Sequence, residues 1–163
     1  MTTPDGRNDF DFVFGAWEVS HRRLVDMLDP ECDVWETFSG TSRAEPVLDG
    51  IGNVDRLWVP ATPGGPPLEG FTLRLFEPDA GTWRIWWSST TRPGRLDPPV
   101  EGRFVDGVGR FDTEDVIDGV AIGVRFGWRD TATPCPRWDQ QFSFDGGRTW
   151  RTTWTMDHTR SAA

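Results

Sequence analysis

The stretch Val120-Ala-Ile-Gly-Val-Arg-Phe-Gly-Trp128 is the clearest indicator of the fold class. Large apolar side chains occupy every second position, and alanine, glycine or arginine lies between them. Because successive side chains of a β-strand point to opposite faces, this period of two predicts a strand with one apolar face. A sheet with one face buried and the other solvated is typically antiparallel. We therefore expect an all-β protein.

The same alternation returns in at least four other stretches. It predicts inner faces that carry Trp83, Ile85 and Trp87; Phe71, Leu73 and Leu75; Trp138, Gln140, Phe142 and Phe144; and Trp150, Thr152, Trp154, Met156 and His158. Short turn sequences such as Asp106-Gly107 and Asp118-Gly119 separate such runs. Together they predict ten strands, near 16–24, 34–45, 51–59, 68–76, 82–89, 100–105, 108–114, 120–129, 137–144 and 149–159. The one helix that we predict is short, at 8–14.

About ten hairpin-linked strands exceed what an open sheet usually holds. Closure into a single antiparallel up-and-down β-barrel removes the exposed edges, and a two-sheet sandwich is the alternative. We expect one domain over residues 1–163, with an ordered core at about 9–160. The long loops 25–33, 60–67 and 92–99 fall at one end, which we call the mouth. The N-terminal phenylalanines and Trp17 would plug the opposite end, the floor.

Composition indicates what the barrel could hold. The 163 residues include 10 Trp and 11 Phe, which could line a hollow interior or fill it completely. The net charge of -9 argues against nucleic acid and anionic membrane surfaces as partners. The apolar runs are shorter than the ~20 residues of a membrane helix, and the N-terminal residues show no apolar signal region. We therefore expect a cytoplasmic protein.

A small hydrophobic or aromatic molecule is the predicted partner. A ligand pocket is usually apolar with a few placed polar groups, and His21 and Arg23 share the inner parity of the first strand. We predict that Arg23 and His21 orient the polar end of the ligand, with Glu36 and Gln140 as weaker polar candidates. The predicted walls are Phe38, Phe71, Trp87, Phe142, Trp150 and Trp154. Alternatively, the segment 21–23 has already left the barrel and is solvated.

Two other functions stay open on the sequence. In the same pocket, His21 could serve as an acid or base in a cyclase, isomerase or dehydratase that acts on a hydrophobic metabolite. A completely packed barrel would instead act through its surface, and a homodimer is possible. We expect no metal site.

The segment Ser143-Phe-Asp145-Gly-Gly147-Arg-Thr149-Trp150 resembles the Asp-box found between hairpin strands of sialidases and other β-proteins. We expect a structural role, in which Asp145 accepts hydrogen bonds from backbone amides across the turn. A single copy on a chain of this length does not indicate a glycosidase.

Several motifs in order resemble an uncharacterised bacterial family, a domain of unknown function. They are Phe10-Asp-Phe with Gly15-Ala-Trp17, Trp35-Glu-Thr-Phe38-Ser-Gly40, Gly50-Ile-Gly52-Asn53-Val-Asp55, Gly102-Arg-Phe104 and Trp154-Thr-Met156-Asp. The resemblance implies a calycin-like barrel, similar to lipocalins, fatty-acid-binding proteins and nitrobindins. It implies a hydrophobic site but no reaction.

Nitrobindin-like barrels hold haem through a histidine near the C-terminus, which makes His158 a candidate haem ligand. Strand direction places His158 near the floor, away from an open edge. We therefore expect no cofactor and a His158 that is satisfied by the protein or partly exposed, with haem as the alternative.

Overall fold

The computed structural model describes residues 5–162, and within them ten antiparallel strands close into one barrel. The strands are β1 (Gly15–Leu24), β2 (Trp35–Val47), β3 (Gly52–Val59), β4 (Leu68–Glu77), β5 (Thr82–Ser89), β6 (Val100–Val105), β7 (Val108–Ile117), β8 (Val120–Arg129), β9 (Arg137–Ser143) and β10 (Arg151–Arg160). Each strand pairs with the next along the chain, and β10 returns to β1. The predicted up-and-down barrel is confirmed, and the sandwich alternative is wrong.

Strand boundaries follow the prediction closely, because most turns are marked by residues that suit them. The largest difference is at β7, which continues to Ile117 instead of ending at 114. The reason is the two-residue turn Asp118-Gly119, in which both residues have positive φ (49° and 80°). Such a turn matches the twist of the flanking strands, so their pairing can continue to the turn itself.

The predicted N-terminal helix is reduced to a single turn. Only a 3-10 turn at Asp11–Val13 forms, and no side chain caps it. Tertiary packing determines this segment instead, because Phe10 is fully buried against the rings of Trp83, Phe104 and Phe111. The predicted floor plug is thus present, but a tight turn and not a helix carries it.

The two ends of the barrel differ. The loops between β1 and β2, β3 and β4, and β5 and β6 are the long ones, and all lie at the mouth. At the floor, β6 and β7 are joined by only Asp106 and Gly107. The Trp17 indole Nε1 also closes the floor, where it donates a hydrogen bond to Val13 O over 2.8 Å.

The predicted inner face of β4 is wrong. Phe71 lies on the outer face and is 44% exposed, whereas Thr72 and Arg74 point into the barrel and are buried. Gly70 explains part of this arrangement, because an added Cβ at that position would lie 2.0 Å from the Trp87 ring. The inner face of β4 therefore includes Gly70, because only a residue without a side chain fits against the Trp87 ring.

The predicted face of β10 is correct for Trp154, Met156 and His158 and wrong for Trp150. The register of β10 against β9 shifts between Thr152 and Trp154, which is a β-bulge. A bulge inserts one residue and reverses the alternation of faces. Trp150 therefore lies on the outer side, where the Arg125 guanidinium stacks 3.8 Å from its ring centroid.

The Asp-box has the structural role predicted for it. Asp145 Oδ1 accepts hydrogen bonds from the backbone N–H groups of Arg148 (3.0 Å) and Thr149 (2.9 Å) and from Ser143 Oγ (2.9 Å). The Thr149 hydroxyl donates to Asp145 Oδ2 over 2.6 Å. These hydrogen bonds, those from Thr149 first, lower the pKa of Asp145 to about 2. The motif fixes the hairpin between β9 and β10.

No helix among residues 5–162 has the length and apolar character needed to cross a membrane.

Candidate ligand-binding site

Two cavities lie inside the barrel. An inner cavity of about 70 Å³ is closed at the floor by Phe12, Val13 and Trp17. A second cavity of about 170 Å³ lies towards the mouth and reaches Arg92 and Asp97 at its edge. Because about 10–15 Å³ is enough for one water molecule, both can hold more than a single water. The barrel interior is therefore partly hollow, which the sequence left open.

A shared layer of side chains separates the two cavities and borders both of them. Its members are Ile85, Trp87, Phe126, Gln140 and Trp154. This layer is aromatic apart from one isoleucine and one amide, and the Gln140 amide donates to Thr153 Oγ1 over 3.1 Å. A molecule that spans both cavities would therefore contact the rings of Trp87, Phe126 and Trp154.

The inner cavity combines aromatic walls with a few polar groups. Its apolar lining includes Trp17, Trp87, Phe126, Trp128, Trp138 and Trp154, and its polar lining is Ser42, Asp55, Thr72, Arg74, Gln140 and His158. A mostly apolar wall with a small number of placed polar groups is the usual composition of a small-molecule site.

Arg74 is the central polar group of the inner cavity. Its side chain is only 6% exposed, and its Nη2 donates to Asp55 Oδ2 over 2.6 Å. Its Nη1 donates to Asn53 Oδ1 over 2.9 Å. Within residues 5–162 its Nε has no hydrogen-bond partner. The ion pair with Asp55 leaves no net charge at this site.

His158 lies near the floor, as predicted, and lines the inner cavity. It is 8% exposed, and its Nδ1 lies 3.3 Å from Pro136 O. A carbonyl oxygen can only accept, so Nδ1 carries the proton. Burial lowers the pKa of His158, which the contact with Pro136 opposes only in part. The neutral ring therefore keeps a lone pair on Nε2.

His21 is inside the barrel, as predicted, but it is enclosed by protein. It is 2% exposed, stacks on Phe38 at 4.6 Å between ring centroids, and accepts a hydrogen bond from Trp154 Nε1 over 3.1 Å. Burial, with smaller effects from His158 and Arg23, lowers the pKa of His21 to about 3. Neither cavity has His21 in its lining. The alternative that segment 21–23 is solvated is wrong for His21.

Arg23 borders the mouth cavity and already has a protein partner. Its Nη2 donates to Glu36 Oε1 over 2.7 Å, and its guanidinium lies 4.9 Å from the centroid of the Phe38 ring. Both side chains of the ion pair are mostly buried. The pair joins β1 to β2 at the mouth, so the charge of Arg23 is compensated before any ligand arrives.

The mouth cavity carries further charges that the sequence did not single out. Asp97 pairs with Arg92 over 3.1 Å, and Asp115 also lines this cavity. Burial raises the pKa of Asp97, and the Asp115 carboxylate raises it further, against the opposite effects of Arg92 and Arg95. The mouth is therefore more polar than the inner cavity.

Five of the ten predicted site residues line a cavity, and the other five do not. Trp87, Gln140 and Trp154 border both cavities, and Arg23 and Phe142 border the mouth cavity alone. His21, Glu36 and Phe38 lie behind the lining, and Phe71 and Trp150 lie outside the barrel.

Sequence reasoning missed Arg74 and Asp55, which are the buried ion pair of the inner cavity. The alternation on β4 favoured the apolar set 71, 73 and 75 over the set that includes Arg74. The one available signal was Asn53-Val-Asp55, where two polar residues share the parity of Leu57 and Val59 on β3.

Comparison of the chain with protein-family models and with curated proteins gives no match. Within residues 5–162, no group of three or more His, Cys, Asp or Glu side chains is arranged to hold a metal ion.

Proposed function

We propose that this protein binds one small hydrophobic or aromatic molecule inside its barrel. The observation that carries the proposal is the pair of neighbouring cavities, both of which are bordered by Trp87, Trp154, Phe126, Ile85 and Gln140. A core that served stability alone would be packed to uniform density with few voids. Here, the largest rings border hollow space.

The free energy gained by burying apolar surface indicates how large the ligand has to be. One aromatic ring that buries about 150–250 Å² of apolar surface at about 25 cal/mol per Å² gains roughly 4–6 kcal/mol. About 4 kcal/mol corresponds to a millimolar Kd and about 8 kcal/mol to a micromolar Kd, before the costs of association. A physiological ligand therefore needs more than a single bare ring, either a second apolar group or hydrogen bonds in the cavity.

Binding, and not catalysis by His21, is the activity that the site geometry supports. His21 Nδ1 accepts from Trp154, and the ring lies behind Phe38. A general acid or base needs to reach the substrate proton at hydrogen-bond distance. His21 lines neither cavity, so a ligand there does not come within hydrogen-bond distance of its ring.

The resemblance to calycin-like barrels and the acidic composition extend this proposal. We propose that the chain is a calycin-like, lipocalin-like binding protein that acts in the cytoplasm. Its net charge of -9 favours neutral or cationic small molecules over polyanions such as nucleic acid.

Tryptophan fluorescence and native mass spectrometry test the proposal together. Trp87 and Trp154 border both cavities, so an apolar ligand is expected to change the emission and to add its mass to the folded protein. A screen of one- and two-ring hydrophobic compounds that leaves both signals unchanged would refute a binding function.

A matched pair of variants locates the binding site. Ala44 lines the inner cavity, so Ala44→Leu should occupy that space and weaken binding at least tenfold. Ala121 is exposed on the outer face of β8 and receives the same added volume in Ala121→Leu. The Ala121→Leu protein should bind like the wild type; equal loss in both variants would show that the ligand does not occupy the barrel.

A further inference from the structure

Several polar atoms of the inner cavity lack a hydrogen-bond partner among the described residues, and these atoms indicate which groups a ligand has to supply. Asp55 accepts from Arg74 with Oδ2 alone, and in the described part of the chain no hydrogen bond reaches its Oδ1. His158 keeps a lone pair on Nε2, because its Nδ1 faces Pro136 O. Two hydrogen-bond acceptors without a donor from residues 5–162 are therefore present in a mostly apolar lining.

One donor of the same ion pair also lacks a hydrogen-bond partner in the part of the chain that the structure describes. The Nε of Arg74 is buried and has no partner within residues 5–162, although the other two guanidinium nitrogens are committed to Asp55 and Asn53. Leaving a buried donor unsatisfied costs about 1–3 kcal/mol. A ligand atom that accepts from Arg74 would recover part of this free energy.

Charge and hydrogen-bond capacity together narrow the chemistry of the ligand group. A carboxylate would bring a second negative charge to Asp55, and Arg74 is already neutralised by that same residue. An ether oxygen can accept from Arg74 but has no proton for Asp55 or His158. A hydroxyl group is neutral and can both donate and accept, so it can accept from Arg74 while it donates to Asp55 or to His158.

We propose that the ligand carries a hydroxyl group that enters the inner cavity, donates to Asp55 or His158, and leaves its apolar body between Trp87 and Trp154. This inference rests on the proposed binding function and reverses the predicted orientation. The polar end lies deep in the barrel, and the apolar end faces the mouth.

Three closely matched probes test the inference by isothermal titration calorimetry on the full chain. 4-Ethylphenol has the hydroxyl, 1-ethyl-4-methoxybenzene replaces it by an ether, and 4-ethylbenzoate replaces it by a carboxylate. We expect the phenol to bind at least tenfold more tightly than the ether, and the benzoate to bind most weakly. An equal affinity of phenol and ether, or a preference for the benzoate, would overturn the inference and leave the binding function intact.

If none of the three probes binds and the wider hydrophobic screen is also negative, the binding function and this inference both fail. If compounds of the screen bind but neither phenol nor ether does, only the inference fails. The two proposals are therefore distinguished by the same set of titrations.

His158→Phe provides the variant test. A planar aromatic ring of slightly larger size is kept, and the backbone N–H of residue 158, which donates to Pro136 O over 3.0 Å, is unaffected, so the main loss is that of the imidazole nitrogens. The phenol-to-ether preference should fall at least threefold, while the affinity for the ether stays within a factor of two. An unchanged preference contradicts a role for His158.

The double variant Asp55→Asn/Arg74→Gln removes both charges of the ion pair at once and avoids leaving either of them unpaired. It should lose most of the preference for phenol. A double variant that fails to fold does not affect the test, since the wild-type titrations and His158→Phe already decide it.

Discussion

The Trp154 indole donates a hydrogen bond to His21 Nδ1 over 3.1 Å and so fixes the tautomer of a buried histidine. The proton of the neutral ring lies on Nε2, which is buried without a partner in the described part of the chain. Protonation of His21 would break the contact with Trp154 and place a charge in an apolar layer. This relationship connects β10 to β1 and makes the barrel sensitive to acid.

Stability should fall below pH 6.5. Burial lowers the pKa of His21 to about 3 from 6.5, so between these values the unfolded chain binds a proton that the folded chain does not. The free energy of unfolding then decreases as pH falls, by up to about 1.4 kcal/mol per pH unit. His158, whose pKa is also lowered, acts in the same direction.

Urea unfolding at pH 7.5, 6.5, 5.8 and 5.2 measures this slope, in a range above the ordinary titration of carboxylates. His21→Gln keeps an acceptor for Trp154 and cannot be protonated. The slope of its unfolding free energy against pH should therefore correspond to the uptake of up to one proton fewer on unfolding. A variant with the wild-type slope would show that His21 does not control the acid sensitivity.

Removing Arg74 alone should destabilise the protein strongly. Arg74→Met leaves the Asp55 carboxylate buried without its partner, and breaking a buried pair in this way costs about 3–5 kcal/mol. In Arg74→Met/Asp55→Leu, no charge is left unpaired, so the loss should be much smaller than the sum of the single variants. A double-mutant cycle by chemical denaturation measures the coupling, and additive losses would contradict the ion pair.

Gly70 should tolerate no side chain. An added Cβ would lie 2.0 Å from the Trp87 ring, so Gly70→Ala has to displace that ring at the cost of about 1–3 kcal/mol. Because Trp87 borders both cavities, ligand affinity should fall as well. Phe71→Ala alters the next residue on the outer face and serves as the control, with ligand affinity expected to stay unchanged.

Trp150 and Trp154 should respond differently to a bound ligand. Trp154 borders both cavities, whereas Trp150 stacks with Arg125 outside the barrel. Trp154→Phe should therefore reduce the ligand-induced fluorescence change, and Trp150→Phe should retain it. The same titration on both variants checks this, and a signal that disappears only with Trp150 would place the ligand outside.

The fold was predictable because turns and alternation agree along most of the chain. On β8 and β9 the apolar positions are unambiguous, and on β5 only Trp86 departs from the alternation; the inner faces of all three strands match the prediction. On β4 both faces carry apolar residues, and the choice between them depends on Asp55, a partner 19 residues earlier in the sequence. Alternation within one strand contains no information about such a partner.

Half of the predicted wall residues border a cavity, and the polar centre of the candidate site was not predicted. The tryptophans of β5 and β10 were correctly placed, whereas Trp150 was misplaced because a single inserted residue near Thr152 changes the parity. Arg23 appeared to be available for a ligand because its ion pair with Glu36 depends on the register between β1 and β2. Such pairings follow from three-dimensional registration, which local sequence does not determine.

The buried Phe10 at the floor has a consequence for how molecules exchange with the interior. Because that ring packs among Trp83, Phe104 and Phe111, the barrel is closed at the floor and has a single opening, through which a ligand both enters and leaves. The ligand has to leave through the mouth, and its hydroxyl end, which lies deepest in the barrel, leaves last. The dissociation rate of the ligand would then depend more on how readily the long mouth loops open than on the contacts inside the cavity.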